Sequence, residues 1–265
     1  MRVAASVTLL FRELPILERF AAARACGFDG VEIQRLYEGD PQEMARAARD
    51  AGLEVVLVNV GLGDFLDGGP GLSGVPGRED AFREALEAAL AAAAELSAHH
   101  VHLGPSRIPD GVAAADCHRV YADNVRLALH LSRAGGTSLL IEGMNPVDVP
   151  TALLPNVAAA AAAVNAGDSP RLGLQFDLYH IAMAGQDPVE QYQRHHALVR
   201  HVQFADAPGR HEPGTAQLDI PGTLRAIRDA GYQGWVGAEY RPLGATADRL
   251  AWLPMLRAFT PEAEA

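Results

Sequence analysis

Four short apolar runs in the second half of the chain end on side chains that could do chemistry. Ser138-Leu139-Leu140-Ile141 leads into Glu142, and Leu172-Gly173-Leu174-Gln175-Phe176 leads into Asp177, with His180 three residues further on. His201-Val202 precedes Gln203, and Trp235-Val236-Gly237-Ala238 precedes Glu239. Any one of these carboxylates alone is equally well a solvated strand end or the cap of the next helix. All four oxygen-bearing side chains at successive strand ends point to one shared site. Carboxylates held together in a cleft repel one another, and burial aggravates the conflict. A divalent cation removes it, and three carboxylates with one amide oxygen are a hard-oxygen set that suits Mg²⁺ or Mn²⁺ better than Zn²⁺.

His180 is expected to donate a hydrogen bond to substrate, although a core histidine or one supporting a ligand fits the same spacing. Arg210 lies in a stretch with Pro208, Gly209, Pro213 and Gly214. A guanidinium there suits an anionic substrate group, which it grips with two parallel bonds; a solvated loop arginine fits the spacing equally. His99, His100, His102, His195 and His196 fall in no HxxxH or HExxH frame and are assigned no metal.

The elements that must carry these residues repeat one pattern. Amphipathic stretches end at Gly27, Gly52 and Gly231, and an apolar run follows each. Glycine just past a helix supplies the left-handed cap, and an apolar run after it reads as a strand buried on both faces. Strands are expected near 3–7, 31–33, 55–60, 100–103, 138–141, 172–176, 199–204 and 235–238. Helices are expected near 14–26, 41–51, 79–97, 114–134, 156–166, 188–196, 221–230 and 246–258. Such alternation means parallel strands joined by crossovers. A doubly wound open sheet alternates in the same way, but no Gly-rich phosphate fingerprint follows the first strand. The expectation is an α/β protein with a single (β/α)8 TIM barrel over 1–259, its active site at the C-terminal ends of the strands, and a flexible tail at 260–265. The stretches 61–77 and 205–218 are long beside the usual ~2–6 residues and would overhang that mouth.

Composition narrows the partners. A net charge of −11 opposes nucleic-acid binding, which needs a surplus of Lys and Arg on one face. No signal peptide is evident at the first residues, and no segment reaches ~18 uninterrupted apolar residues, so no membrane span is expected. Cys26 and Cys117 form no CxxC pair and read as two buried, inert thiols in a reducing, cytoplasmic setting. A small-molecule substrate remains, and a homo-oligomer is left open.

At these residues the sequence resembles the hydroxypyruvate isomerase family, part of the xylose-isomerase-like TIM barrels. The matching stretches are Leu139-Leu140-Ile141-Glu142 with Asn145, Gln175-Phe176-Asp177-Leu178-Tyr179-His180 and His201-Val202-Gln203-Phe204-Ala205-Asp206. Further on, Arg210-His211-Glu212-Pro213-Gly214 and Trp235-Val236-Gly237-Ala238-Glu239-Tyr240 match. Near the front, so do Leu10-Phe11, Gly27-Phe28-Asp29-Gly30-Val31-Glu32 and Pro76-Gly77-Arg78-Glu79. The resemblance implies a divalent metal on Glu142, Asp177, Gln203 and Glu239, the set that spacing also suggests. It implies Glu142 and Glu239 as the acid/base pair, with a small keto acid such as hydroxypyruvate converted to tartronate semialdehyde through an enediolate.

The chain departs from the family pattern at Asn59-Val60-Gly61-Leu62-Gly63-Asp64-Phe65, at Gln34-Arg35-Leu36-Tyr37 and at Gly143-Met144. All three lie in expected mouth loops, so they leave the reaction class intact and open the substrate. A 2-oxo-tetronate isomerase or a ketose 3-epimerase needs the same residues. An endonuclease IV-like DNA repair enzyme would want more metal-binding histidines and a basic face, and a barrel that only binds a ligand would not need the full carboxylate set.

Overall fold

Runs such as Gly30–Ile33 and Leu172–Asp177 are buried at every position, as parallel strands covered by helices must be. The computed structural model describes residues 1–257, so the expected barrel end at 259 and the tail at 260–265 lie outside the described residues. The strands are β1 (Arg2–Ser6), β2 (Gly30–Ile33), β3 (Glu54–Asn59), β4 (His100–His102), β5 (Ser138–Glu142), β6 (Leu172–Asp177), β7 (Val199–Phe204) and β8 (Trp235–Ala238). They pair in parallel in sequence order, and β1 closes the barrel on β8 from Arg2↔Trp235 to Ala5↔Ala238. This is the (β/α)8 barrel.

The helices around it are α1 (Ile16–Ala25), α2 (Pro41–Ala51), α3 (Glu79–Leu96), α4 (Ala114–Leu131), α5 (Val157–Gly167), α6 (Leu178–Met183), α7 (Pro188–His195), α8 (Ile220–Asp229) and α9 (Leu253–Arg257). Their starts are written in side chains. Asp40, Asp187 and Asp219 each accept backbone N–H groups at the first turn of a helix with proline in it, and Asn156 does the same for α5; a cap of this kind contributes about 1 kcal/mol. Gly52 ends α2 at φ 66°, while Gly27 and Gly231, at φ 96° and 100°, follow α1 and α8 by two residues.

Two expectations are corrected. The helix read over 246–258 is broken into a 3-10 turn, Thr246–Arg249, and the short α9. Between them the Trp252 indole donates to the Tyr240 hydroxyl at 3.0 Å, a packing constraint that helical periodicity does not encode. The extra helix α6 was not foreseen; it starts directly at the end of β6, capped by Asp177, whose Oδ1 accepts from Tyr179 N–H at 2.9 Å. Cys117 is buried as expected, but Cys26 is only partly so.

The two long loops do stand at the C-terminal mouth. In the first, Asp64 pairs with Arg78 at 2.8 Å, and Arg107 lies over the Phe65 ring while donating to Phe65 O and Gly69 O at 2.7 Å. Phe65 then packs with Met144, Val149 and Ala152 from the segment after β5. In the second, the Asp206 carboxylate accepts from the backbone N–H groups of Ala207, Gly214, Thr215, Ala216 and Leu218, all at 2.8–3.0 Å. Both are anchored loops, so the mouth has fixed walls.

Candidate active site

Glu142 and Asp177 are the last residues of β5 and β6, Gln203 lies one residue before the end of β7, and Glu239 directly follows β8. The ladder sets Asp177 opposite Gln203 and Gln203 opposite Gly237. The four residues therefore share one sector of the mouth, because each strand delivers its last turn of backbone at the same height.

Arg210 enters this sector from the loop after β7, held at φ 58° by the backbone around Asp206. Its Nη2 donates to Glu239 Oε2 at 2.7 Å and stands 3.6 Å from Asp177 Oδ2. The guanidinium is thus engaged by the carboxylates themselves. His180, on α6, is buried, and its Nδ1 accepts from Asn145 N–H at 3.2 Å and faces the Asn145 amide nitrogen at 2.8 Å. A backbone N–H can only donate, so the ring proton sits on Nε2, 3.8 Å from Asp177 Oδ2. That nitrogen is a donor.

Burial and mutual repulsion shape the charges. Glu142 is pushed well above the usual carboxylate range by burial first, then by the Asp177 and Glu239 carboxylates, while Arg210 works in the opposite direction. Burial also raises Asp177, against the pull of Arg210. Glu239 is pushed up to about 7, again chiefly by burial and against Arg210. Burial disfavours the Arg210 cation, but Glu239, Asp177 and Glu142 outweigh it and hold its pKa above the ordinary value. Burial keeps His180 neutral, lowering it well below the usual value, with Arg210 adding to the effect.

A cation fits here on the molecule's own evidence. Glu142 Oε1 and Asp177 Oδ2 are buried and have no hydrogen-bond partner, a costly arrangement for an acceptor unless something positive fills it. Glu142, Asp177 and His180 each offer an atom within 4.8 Å of the others. Since His180 Nε2 carries its proton, the oxygens are the available donors. Three carboxylates against one guanidinium also leave two excess negative charges when all are ionised, the charge of a divalent cation.

The cleft above these groups is about 130 Å³, lined by Asn59, His102, Glu142, His180, Arg210 and Glu239 among others. Sequence reasoning assigned no role to His102, whose Nε2 lies 3.6 Å from Glu142 Oε2 and whose pKa burial lowers to about 4. It also gave no role to Glu32, which is fully buried on β2. The signal for both was period two: His100 and His102 alternate along β4, and Glu32 interrupts Val31 and Ile33 in an otherwise apolar strand. Arg241, lining the cleft from the segment after β8, was missed as well.

Residues 20–256 match the xylose isomerase-like TIM barrel family. The chain is 37% identical over 260 residues to a putative hydroxypyruvate isomerase of Mus musculus, covering 96% of this chain and 94% of the mouse protein. It is 36% identical over 253 residues to a 2-oxo-tetronate isomerase of Cupriavidus necator, covering 95% and 97%. Among solved structures, a protein from Brucella melitensis described as an AP endonuclease, family 2, superposes with a TM-score of 0.90 at 33% identity, covering 96% of this chain and 98% of that one.

Proposed function

The chain belongs to the hydroxypyruvate isomerase family of the xylose isomerase-like TIM barrels, and from that premise we propose that it is a cytoplasmic, Mg²⁺- or Mn²⁺-dependent isomerase converting hydroxypyruvate to tartronate semialdehyde. The observation that carries this reading is the set of buried and partly buried carboxylates Asp177, Glu142 and Glu239, with an oxygen of Glu142 and one of Asp177 left unpartnered, under a cleft of about 130 Å³. Pockets for drug-sized ligands measure roughly 300–1,000 Å³, so this smaller space suits a substrate of few carbons.

Moving a carbonyl to the adjacent carbon requires taking a proton from one carbon and returning one to its neighbour. Glu142 and Glu239 are the groups proposed to do so, and a carboxyl held near 7, as Glu239 is, both accepts and releases a proton at neutral pH. A divalent cation on Glu142, Asp177, Gln203 and Glu239 would supply positive charge for the two substrate oxygens as the enediolate forms. His180, with its proton on Nε2, is proposed to donate to a substrate oxygen. Arg210 is assigned to the substrate carboxylate, which has to draw it from Glu239.

The endonuclease name of the Brucella protein raises a second reading, which a net charge of −11 opposes. A 2-oxo-tetronate is the closer competitor, since it presents the same reacting atoms on a chain one carbon longer. Progress curves on hydroxypyruvate, a 2-oxo-tetronate and an uncharged ketose, each with and without Mn²⁺, separate these readings. The expected result is Mn²⁺-dependent turnover with hydroxypyruvate fastest. A faster tetronate replaces the substrate, and a ketose as best substrate overturns the keto-acid assignment.

A further inference from the structure

Behind the carboxylate set lies a second polar group that the chemistry above does not use. Glu32 is fully buried, and its two oxygens face three nitrogens: His201 Nε2 at 2.6 Å, Gln203 Nε2 at 2.7 Å and Gln34 Nε2 at 2.8 Å. Gln34 is itself fixed from the far side, its Oε1 accepting from the Ser6 hydroxyl at 2.7 Å. The barrel makes room for this carboxylate deliberately. The register between β2 and β3 shifts at Val31/Glu32, and a Cβ on Gly237 would lie 1.7 Å from Glu32 Oε1, so the carboxylate keeps this place only opposite a glycine. Irregular register next to a site is a common way to aim a side chain.

An ionised carboxylate accepts and cannot donate. Gln203 must therefore turn its amino end towards Glu32, which turns its Oε1 the other way, to Gln175 Nε2 at 2.6 Å. Gln175 stands opposite Glu142 in the ladder between β5 and β6, so that oxygen lies on the carboxylate side of Gln203. Left to itself, the amide would be drawn to reverse, because Glu142, Asp177 and Glu239 attract N–H groups and repel an oxygen. The two ends of an amide are nearly the same size, so packing alone does not choose between them. A second buried anion behind it does.

We propose that Glu32 is a positioning residue whose carboxylate, by holding the amino end of Gln203, keeps the Gln203 oxygen facing the cation site. The inference rests on the cation assignment made above. It gives a reason for retaining a buried carboxylate that well-packed apolar side chains would replace without loss of stability.

The test is direct titration of the metal-free protein with Mn²⁺, alongside its melting temperature. Glu32→Gln keeps the shape and removes the obligate acceptor, so Mn²⁺ affinity should fall ~10-fold or more, the scale of one lost charge-assisted bond. Gln203→Glu added to Glu32→Gln exchanges donor and acceptor and offers an oxygen at either end, so the double variant should regain the affinity. This double variant is read on its own if Glu32→Gln does not fold. Should Glu32→Gln bind Mn²⁺ as tightly as the parent, or should the double variant fold and fail to bind, the proposal is overturned. A parent protein that binds no Mn²⁺ sinks the cation assignment instead, an outcome distinct from either.

Discussion

Glu32 and Glu142 are both carried by barrel strands and both withdrawn from solvent, yet their surroundings are opposite. Glu32 accepts three hydrogen bonds and sits where Gly237 clears space for it. Glu142 leaves Oε1 without a partner and has only neutral His102 at 3.6 Å from Oε2. Burying a carboxylate is expensive in both cases. At Glu32 the fold itself supplies the compensation, whereas at Glu142 it withholds it and adds two more carboxylates. A buried acid with its donors built in is scaffold; one without them is a place for a ligand or a proton to come and go.

The contrast makes the largest effect an effect on rate. Glu142→Gln and Glu239→Gln keep an oxygen and the packing but lose the basic carboxylate. Each should lower kcat by ~10²-fold or more, the usual scale of general acid–base catalysis, while circular dichroism stays unchanged. A variant that retains near-parental kcat on hydroxypyruvate would demote that glutamate to a ligand.

A smaller effect belongs to Arg210, which sits on the Glu142 side of the same contrast. Its charge is shared between Glu239 and Asp177, and the proposed substrate carboxylate would compete for it. Arg210→Ala should raise KM for a keto acid by ~10-fold or more, since a charge-assisted bond is worth roughly 1.5–3 kcal/mol, and should barely change kinetics on an uncharged ketose. Equal losses on both substrates would assign Arg210 to the carboxylate set and not to the substrate.

The barrel was legible because short, mostly apolar runs alternate with helical stretches, three of which run out at Gly27, Gly52 and Gly231, a local signal that survives without tertiary information. The strand-end residues Glu142, Asp177, Gln203 and Glu239 were legible for the same reason: their place in the fold follows from their place in the strand. The orientation of Gln203 was not, because it depends on Glu32, 171 residues away in sequence. Nor was the engagement of Arg210 by Glu239, 29 residues on, or the breaking of the final helical stretch by the contact between Trp252 and Tyr240. Helix α6 escaped because Asp177 reads as a site residue and also caps, and one side chain's pattern carries no mark of the second duty.

The central claim is that Glu142, Asp177 and Glu239 repel one another until a cation joins them, and the melting temperature with and without Mn²⁺ tests it most directly. A ligand that binds only the folded state at about 100 times its Kd adds about 2.7 kcal/mol, which for a chain of this size is roughly 5–10 °C. Protons compete with the cation for carboxyls whose pKa is raised. Without metal, the stability that a raised carboxyl such as Glu239 contributes is present below its unfolded value of about 4.5 and lost as pH rises through about 7. Partly buried His100 and buried His102, lowered to about 3 and about 4, act in the opposite sense below about pH 6.5, but largely cancel when samples with and without metal are compared at one pH. The Mn²⁺-induced rise should therefore be larger at about pH 7.5 than at about pH 5.5 in the parent protein, and absent at both in Asp177→Ala. An undiminished rise in Asp177→Ala would contradict the account.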